Sequence, residues 1–209
     1  RAFVKEGIDV IAKKQRLGIE GLRAISSSKD IGVTELGFRI GPRINAAGRT
    51  GASDLGFRLL TSQSDDEVMA ISERLNNLNQ QRQNIEQTVL FEATNIIEEE
   101  LASKKLNSIP NSIVVNGEGW HLGVLGIVAS RLKEKYYRPS FVVSTNDGIS
   151  TGSARSVSGI DVGELIIDAV NRGILNSGGG HKMAGGFSLD SSRFEEFKEF
   201  CEKKIFDKA

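Results

Sequence analysis

An α/β fold with a mixed sheet is predicted for the C-terminal half of this chain, joined by one long helix to a helical N-terminal segment. Three observations predict it. Before residue 62, apolar residues follow helical spacing between glycine breaks. Residues 65–103 contain no Gly or Pro and repeat apolar residues at three- and four-residue steps. After residue 112, short β-branched runs alternate with amphipathic segments, the pattern of strands interleaved with helices.

Taken in order, Phe3, Val4, Ile8, Val10 and Ile11 place a helix over residues 3–16, and residues 19–26 continue as a second short helix. Residues 33–38 read as a short helix or turn, which Gly41-Pro42 is expected to break. Another short helix covers residues 53–61. Ser64 followed three positions later by Glu67 is a capping box. It opens the long helix, which at 1.5 Å per residue would run about 57 Å. The helix middle, residues 76–84, is polar apart from Leu78. That composition suits a spacer between two lobes, or equally one long core or dimer helix.

Residues 104–111 read as a linker. Strands are expected at 113–115, 140–144, 151–156 and 185–189, with helices at 124–136, 163–171 and 193–206, the last capped by Ser191 or Ser192. The implied organisation is residues 1–62, a connecting helix and linker at 63–105, and a sheet domain at 106–209. Because the sequence opens on Arg1 and runs straight into an apolar stretch, it reads as a segment of a longer polypeptide.

Composition narrows the function classes. Lys and Arg together number 27, as do Asp and Glu, so attraction to an anionic polymer must come from local clustering. A single cysteine, Cys201, leaves no intramolecular disulfide and fits a reducing compartment. No apolar run reaches the roughly 18 residues of a membrane span.

Four segments could carry chemistry. Residues 178–186 hold five glycines around His181 and Lys182. Glycine lets backbone N–H groups approach an anion closely, and the imidazole adds a donor that could contact phosphate or assist leaving-group departure. A helix C-cap and tight turn would account for only part of that run. Residues 39–49 place Arg39, Arg43, Asn45 and Arg49 around Gly41-Pro42 and small alanines, either as a phosphate-gripping segment or as a solvated basic loop. Ser153-Ala154-Arg155-Ser156 puts two hydroxyls beside one guanidinium at a strand end. Trp120 either stacks on a base or packs at a strand–helix junction, and neighbouring His121 is open to both kinds of role. Two histidines and one cysteine, far apart, supply no recognisable zinc or two-metal motif.

Read together and in this order, Phe38-Arg39-Ile40-Gly41-Pro42-Arg43-Ile44-Asn45-Ala46-Ala47-Gly48-Arg49, Gly119-Trp120-His121-Leu122-Gly123-Val124-Leu125-Gly126, Gly152-Ser153-Ala154-Arg155-Ser156 and Gly178-Gly179-Gly180-His181-Lys182-Met183-Ala184-Gly185-Gly186 closely resemble the RecJ family of the DHH phosphoesterase superfamily. Leu122 stands where that family usually has proline. The resemblance implies a remnant of a DHH domain, a connecting helix and a DHH-associated domain. It also implies a metal-dependent exonuclease that digests single-stranded DNA from the 5′ end, in DNA repair and recombination in the bacterial cytoplasm. The family's Mn2+ or Mg2+ ligands would lie upstream of Arg1, so none would be held by this chain. Single-strand-binding or recombination proteins would be engaged through parts outside it. Arg43, Asn45, Arg49, Ser153, Arg155, Ser156, Gly179, Gly180 and His181 are the residues the resemblance assigns to substrate and phosphate, His181 standing nearest to catalysis. Two other readings stay open: a binding module without cleavage, and a small-nucleotide phosphodiesterase of the same superfamily.

Overall fold

The computed structural model describes residues 2–26, 31–49, 51–103 and 109–207. The chain divides into two compact units, Arg1–Asn84 and Ile85–Ala209. The division falls inside the long helix, whereas the sequence reading puts boundaries at its ends.

In the first unit, α1 (Ala2–Ala12) buries none of its residues. Helix α2 (Leu17–Ile25) is built for close approach. A Cβ at its Gly18 would strike the carbonyl of Leu59, and one at Gly21 would stand 2.6 Å from both Val68 and Ser72. Residues 33–49 are helical throughout: α3 (Val33–Glu35), a π turn (Leu36–Ile40) and α4 (Gly41–Arg49). Gly41-Pro42 therefore does not break the helix as expected. Proline lacks an N–H and its ring crowds the preceding turn. Here the wider π turn, in which the Gly41 N–H reaches back to the Leu36 carbonyl, absorbs that crowding. A Cβ on Gly41 would press within 2.9 Å of the same carbonyl. With α5 (Leu55–Thr61), these elements close a core of Leu22, Ile40, Ala47, Leu55 and Leu59 around Val68, Ile71 and Leu75.

Those last three side chains belong to α6 (Asp65–Ser103), whose 39 residues match the expected helix. Half of the capping box forms: Ser64 Oγ accepts the Glu67 N–H at 3.4 Å. The Glu67 carboxylate does not return the bond. It accepts from Arg58 at 2.8 Å and the Ser62 hydroxyl at 2.7 Å, which hold it below the usual glutamate range.

The second unit is a five-stranded mixed sheet in the order β1-β2-β3-β5-β4. Its elements are β1 (Ile113–Glu118), α7 (Leu122–Tyr136), β2 (Ser140–Asn146), β3 (Ile149–Arg155), α8 (Val162–Asn171), β4 (Ser177–His181), β5 (Ala184–Asp190) and α9 (Phe194–Phe206). β1 and β2 pair in parallel across α7; the other pairs are antiparallel. Asp147 and Gly148 both take positive φ, the requirement of the tight turn that joins β2 to β3. The 191–192 serines do not cap α9. They form a 3₁₀ turn (Ser191–Arg193) in which the Ser191 N–H is bonded to the Gly148 carbonyl, and the cap position falls to Arg193.

Alternation along the strands builds two cores. On one face Val114, Phe141, Val143, Phe187 and Leu189 pack under α8 and α9, with Phe197 edge-on to Phe141 at 5.7 Å between ring centroids. On the other, Ile113, Val115 and Val142 pack under α7 and the α6 residues Val89, Ala93 and Ile97. A row of α6 carboxylates docks that half of the helix. Glu92 accepts the Trp120 indole N–H at 2.7 Å, Glu98 pairs with Lys135 at 2.9 Å, and Glu100 with Lys198 at 2.6 Å. Trp120 is buried against Gly117, where a Cβ would overlap its ring. Of its two roles, the structure takes the packing one.

Candidate functional site

Helix α7 covers β1, β2 and part of β3. Beyond it the same face of the sheet, across β3, β5 and β4, is covered by no described helix of the second unit. Pairing register places Arg155, Ala184 and His181 side by side there, and next to them Ser153, Gly186 and Gly179. Gly186 is exposed although its strand is flanked on both sides, and a Cβ there would meet nothing nearer than 3.8 Å. At Gly179 it would meet nothing within 4 Å. The centre of this face is bare peptide.

The glycine-histidine segment is thus a hairpin, and β4 is a strand that the sequence reading, with its strand at 185–189, did not place. Glycine's low β-propensity concealed it. Alternate glycines have different reasons. On the covered face, a Cβ at Gly178 would stand 2.6 Å from Ile166 of α8, one at Gly185 would strike the same side chain, and one at Gly180 would strike the Ala184 carbonyl. A Cβ at Gly163 in α8 would stand 3.1 Å from the backbone of Gly180 and His181. Gly163, Gly178 and Gly185 therefore serve close helix–strand packing, Gly180 serves the close approach of β4 to β5, and Gly179 keeps the opposite face flat.

The turn itself is unusual. Two-residue hairpins favour positive φ, yet neither Lys182 nor Met183 is among the positive-φ residues. Neighbours hold it instead: the Ser156 N–H donates to the Met183 carbonyl at 3.0 Å and the Val162 N–H to the Lys182 carbonyl at 3.2 Å. The Met183 N–H donates to His181 Nδ1 at 3.3 Å. With Nδ1 accepting, the neutral ring carries its proton on Nε2, which is left as a hydrogen-bond donor.

Arg155 leans across β3 toward α7. Its Nη1 donates to the Ala154 carbonyl at 2.7 Å and to Ser153 Oγ at 3.3 Å. A Cβ on Gly126 of α7 would stand 2.6 Å from Nη2. The structure therefore brings Ser153, Arg155, Gly179 and His181 together. Ser156 is turned inward: it is 1% exposed and its hydroxyl donates to the Ile160 carbonyl at 2.7 Å. It braces the loop under the hairpin turn instead of facing the floor. His121 caps α7, its Nδ1 accepting the Gly123 N–H at 3.1 Å.

Arg43, Asn45 and Arg49 belong to the first unit. Arg43 donates to Asn76 Oδ1 at 3.0 Å and to the Arg39 carbonyl at 2.7 Å. Burial, then the neighbouring charge of Arg39, lowers its pKa from the ordinary arginine value. Two like charges four apart on a helix cost about 0.2–0.5 kcal/mol, a repulsion that a bound anion would relieve. Asn45 and Arg49, also four apart, are exposed on α4.

Residues 108–206 match the DHHA1 domain family. The sheet of the second unit is accordingly the DHHA1 portion of the chain. The particular relatives are RecJ proteins. The chain is 35% identical over 95% of its length to the single-stranded-DNA-specific exonuclease RecJ of Dickeya dadantii, covering 35% of it. It is 34% identical over 90% of its length to that of Escherichia coli, covering 33%. The crystal structure of Thermus thermophilus RecJ in complex with Mn2+ matches with a TM-score of 0.84 at 34% identity, over 99% of this chain and 30% of that one. A second, exonuclease RecJ bound to manganese, matches with a TM-score of 0.79 at 34% identity, over 98% and 49%. Along nearly all of its length the chain is similar to RecJ proteins, and it spans about a third of the length of these curated relatives.

Crystal structures of relatives hold Mn2+ or Mg2+. Among the described residues, no group of three or more His, Cys, Asp or Glu side chains converges as a donor set. Nor is any described helix long and apolar enough to cross a membrane.

Proposed function

We propose that this chain is the strand-gripping part of a RecJ-type exonuclease that digests single-stranded DNA from the 5′ end, and that the open face of the sheet holds the terminal phosphate region. The observation that carries this reading is the placement of Arg155 and His181 on either side of Ala184, above a floor of bare glycine. The guanidinium offers paired donors to phosphate oxygens. His181 Nε2 offers one more, and the held hairpin turn fixes its direction before substrate arrives. Arg43, Asn45 and Arg49 supply further phosphate contacts from the first unit. The Mn2+ or Mg2+ that activates water would be held by parts of the enzyme that this chain does not span, and the chain by itself would bind strands without cutting them. Repair and recombination in the bacterial cytoplasm are the setting in which such an activity serves. Partner proteins would be engaged elsewhere on the enzyme.

The test is fluorescence anisotropy with a 5′-phosphorylated single strand, against 5′-hydroxyl and duplex controls at low and moderate salt. Preference for the 5′-phosphorylated strand, lost in Arg155→Ala and His181→Ala, is the expected result. Equal binding to all three ligands would overturn the reading, and robust metal-dependent digestion by the chain alone would overturn the division of labour.

A further inference from the structure

The sheet register continues the open face past the residues discussed so far. Next to Ser153, Gly186 and Gly179 it places Thr151, Ser188 and Ser177, again side by side across β3, β5 and β4. Every member of this third row carries a hydroxyl. Ser177 Oγ and Ser188 Oγ lie 2.8 Å apart at the surface. One O–H is spent between them, so the other remains free to donate outward, and both oxygens keep accepting capacity. Thr151 is half-buried beside them.

The face changes character beyond this row. Ile149 pairs with Asp190, and Asp190 accepts from Asn176 Nδ2 at 3.0 Å. From Arg155 to Thr151 none of the row positions carries a carboxylate; at Asp190 a negative charge appears. A surface compatible with a polyanion therefore runs from Arg155 to Thr151 and stops. Those four steps along the strand span about 13 Å. Stacked nucleotides rise about 3.4 Å each, and unstacked ones extend further, so the surface is longer than one nucleotide.

Resting on the reading of this face as strand-binding, we propose that Thr151, Ser177 and Ser188 form a second contact row for the sugar-phosphate backbone, which makes the site select oligonucleotides over mononucleotides. Arg155 and His181 take the terminal phosphate. The glycine floor lets the first nucleotide lie flat, and the hydroxyl row takes the backbone that follows. Hydroxyls suit this position because they bond phosphate or sugar oxygens without adding a charge that would hold the strand in place.

The experiment is calorimetric titration of the full chain with thymidine 5′-monophosphate, 5′-phosphorylated dithymidylate and 5′-phosphorylated tetrathymidylate. In the parent chain, affinity rises about tenfold from the mononucleotide to the longer ligands, as expected for one or two added hydrogen bonds to a charged backbone. Ser177→Ala/Ser188→Ala, and separately Thr151→Val, remove most of that increment and leave mononucleotide affinity unchanged. Arg155→Ala weakens all three ligands. An increment that survives the hydroxyl substitutions overturns the second row while leaving the terminal-phosphate reading intact. Failure of the parent chain to bind any of the three overturns both.

Discussion

The guanidinium of Arg155 lies over a gap in α7 that only glycine leaves, because a Cβ at Gly126 would stand 2.6 Å from Arg155 Nη2. Helix and strand are thereby matched at one atom. Gly126→Ala should displace the guanidinium and weaken binding of a 5′-phosphorylated strand about tenfold, the cost of one charge-assisted hydrogen bond. Alanine is the better helix former by about 1 kcal/mol, so thermal stability should hold or rise. Loss of binding together with a large drop in Tm would refute this account.

Gly178 and Gly179 are adjacent, yet their substitution should have opposite signatures. Gly178→Ala drives a methyl toward Ile166, 2.6 Å away, and should destabilise by about 1–3 kcal/mol through overpacking. Gly179→Ala meets open space and should leave Tm within a degree or two, but its methyl stands on the floor and should weaken strand binding. Denaturant melts and anisotropy on the two variants separate packing from function.

Phe197 is fully buried where three aromatic rings meet, 4.8 Å from Phe187 and 5.7 Å from Phe141 between centroids. Phe197→Ala should cost about 3–5 kcal/mol, read as a lowered midpoint in urea. A cost below 1 kcal/mol would mean that this core collapses around the gap.

Glu202 of α9 accepts from the backbone and side chain of Asn111 at 2.9 and 2.7 Å and from those of Ser112, both at 2.9 Å. Partial burial pushes its pKa up, but the four bonds outweigh that and hold it below the ordinary glutamate value of 4.5. A depressed carboxylate stabilises the fold above its unfolded pKa, and the contribution is lost as pH falls through the folded value. Stability should therefore decline on acidification below about pH 4.5, and Glu202→Gln should flatten that decline while lowering Tm at neutral pH. An unchanged acid limb in the variant would assign the decline to other groups.

The long helix, the α/β alternation and most strand positions were legible because each rests on hydrophobic periodicity. β4 was not: Ser177-Gly178-Gly179-Gly180-His181 has no apolar alternation, and its strand character comes from pairing with β5 and from α8 packed on one side. Nor could the Pro42 break be judged from sequence, since the π turn that accommodates it forms only in three dimensions. Within the candidate site, Arg155 and His181 were signalled by residue type and by the glycines around them. Ser156 has the same chemistry as Ser153, but it follows the end of β3, and the loop there turns its hydroxyl inward to Ile160. The Thr151–Ser188–Ser177 row left no sequence signal, because its members are scattered over residues 151–188 and register alone aligns them. Gly126 had a faint one in its spacing of three from Gly123 on α7.

The indole of Trp120, bonded to Glu92 and buried beneath α6, is also the chain's single tryptophan. Its emission therefore comes from one place, the seam between α6 and the strand–helix junction that leads into α7. Any event that loosens α6 from the sheet would wet that ring and shift its light to the red. The protein thus carries an intrinsic optical reporter at the seam, readable during titration with a strand and without any attached dye.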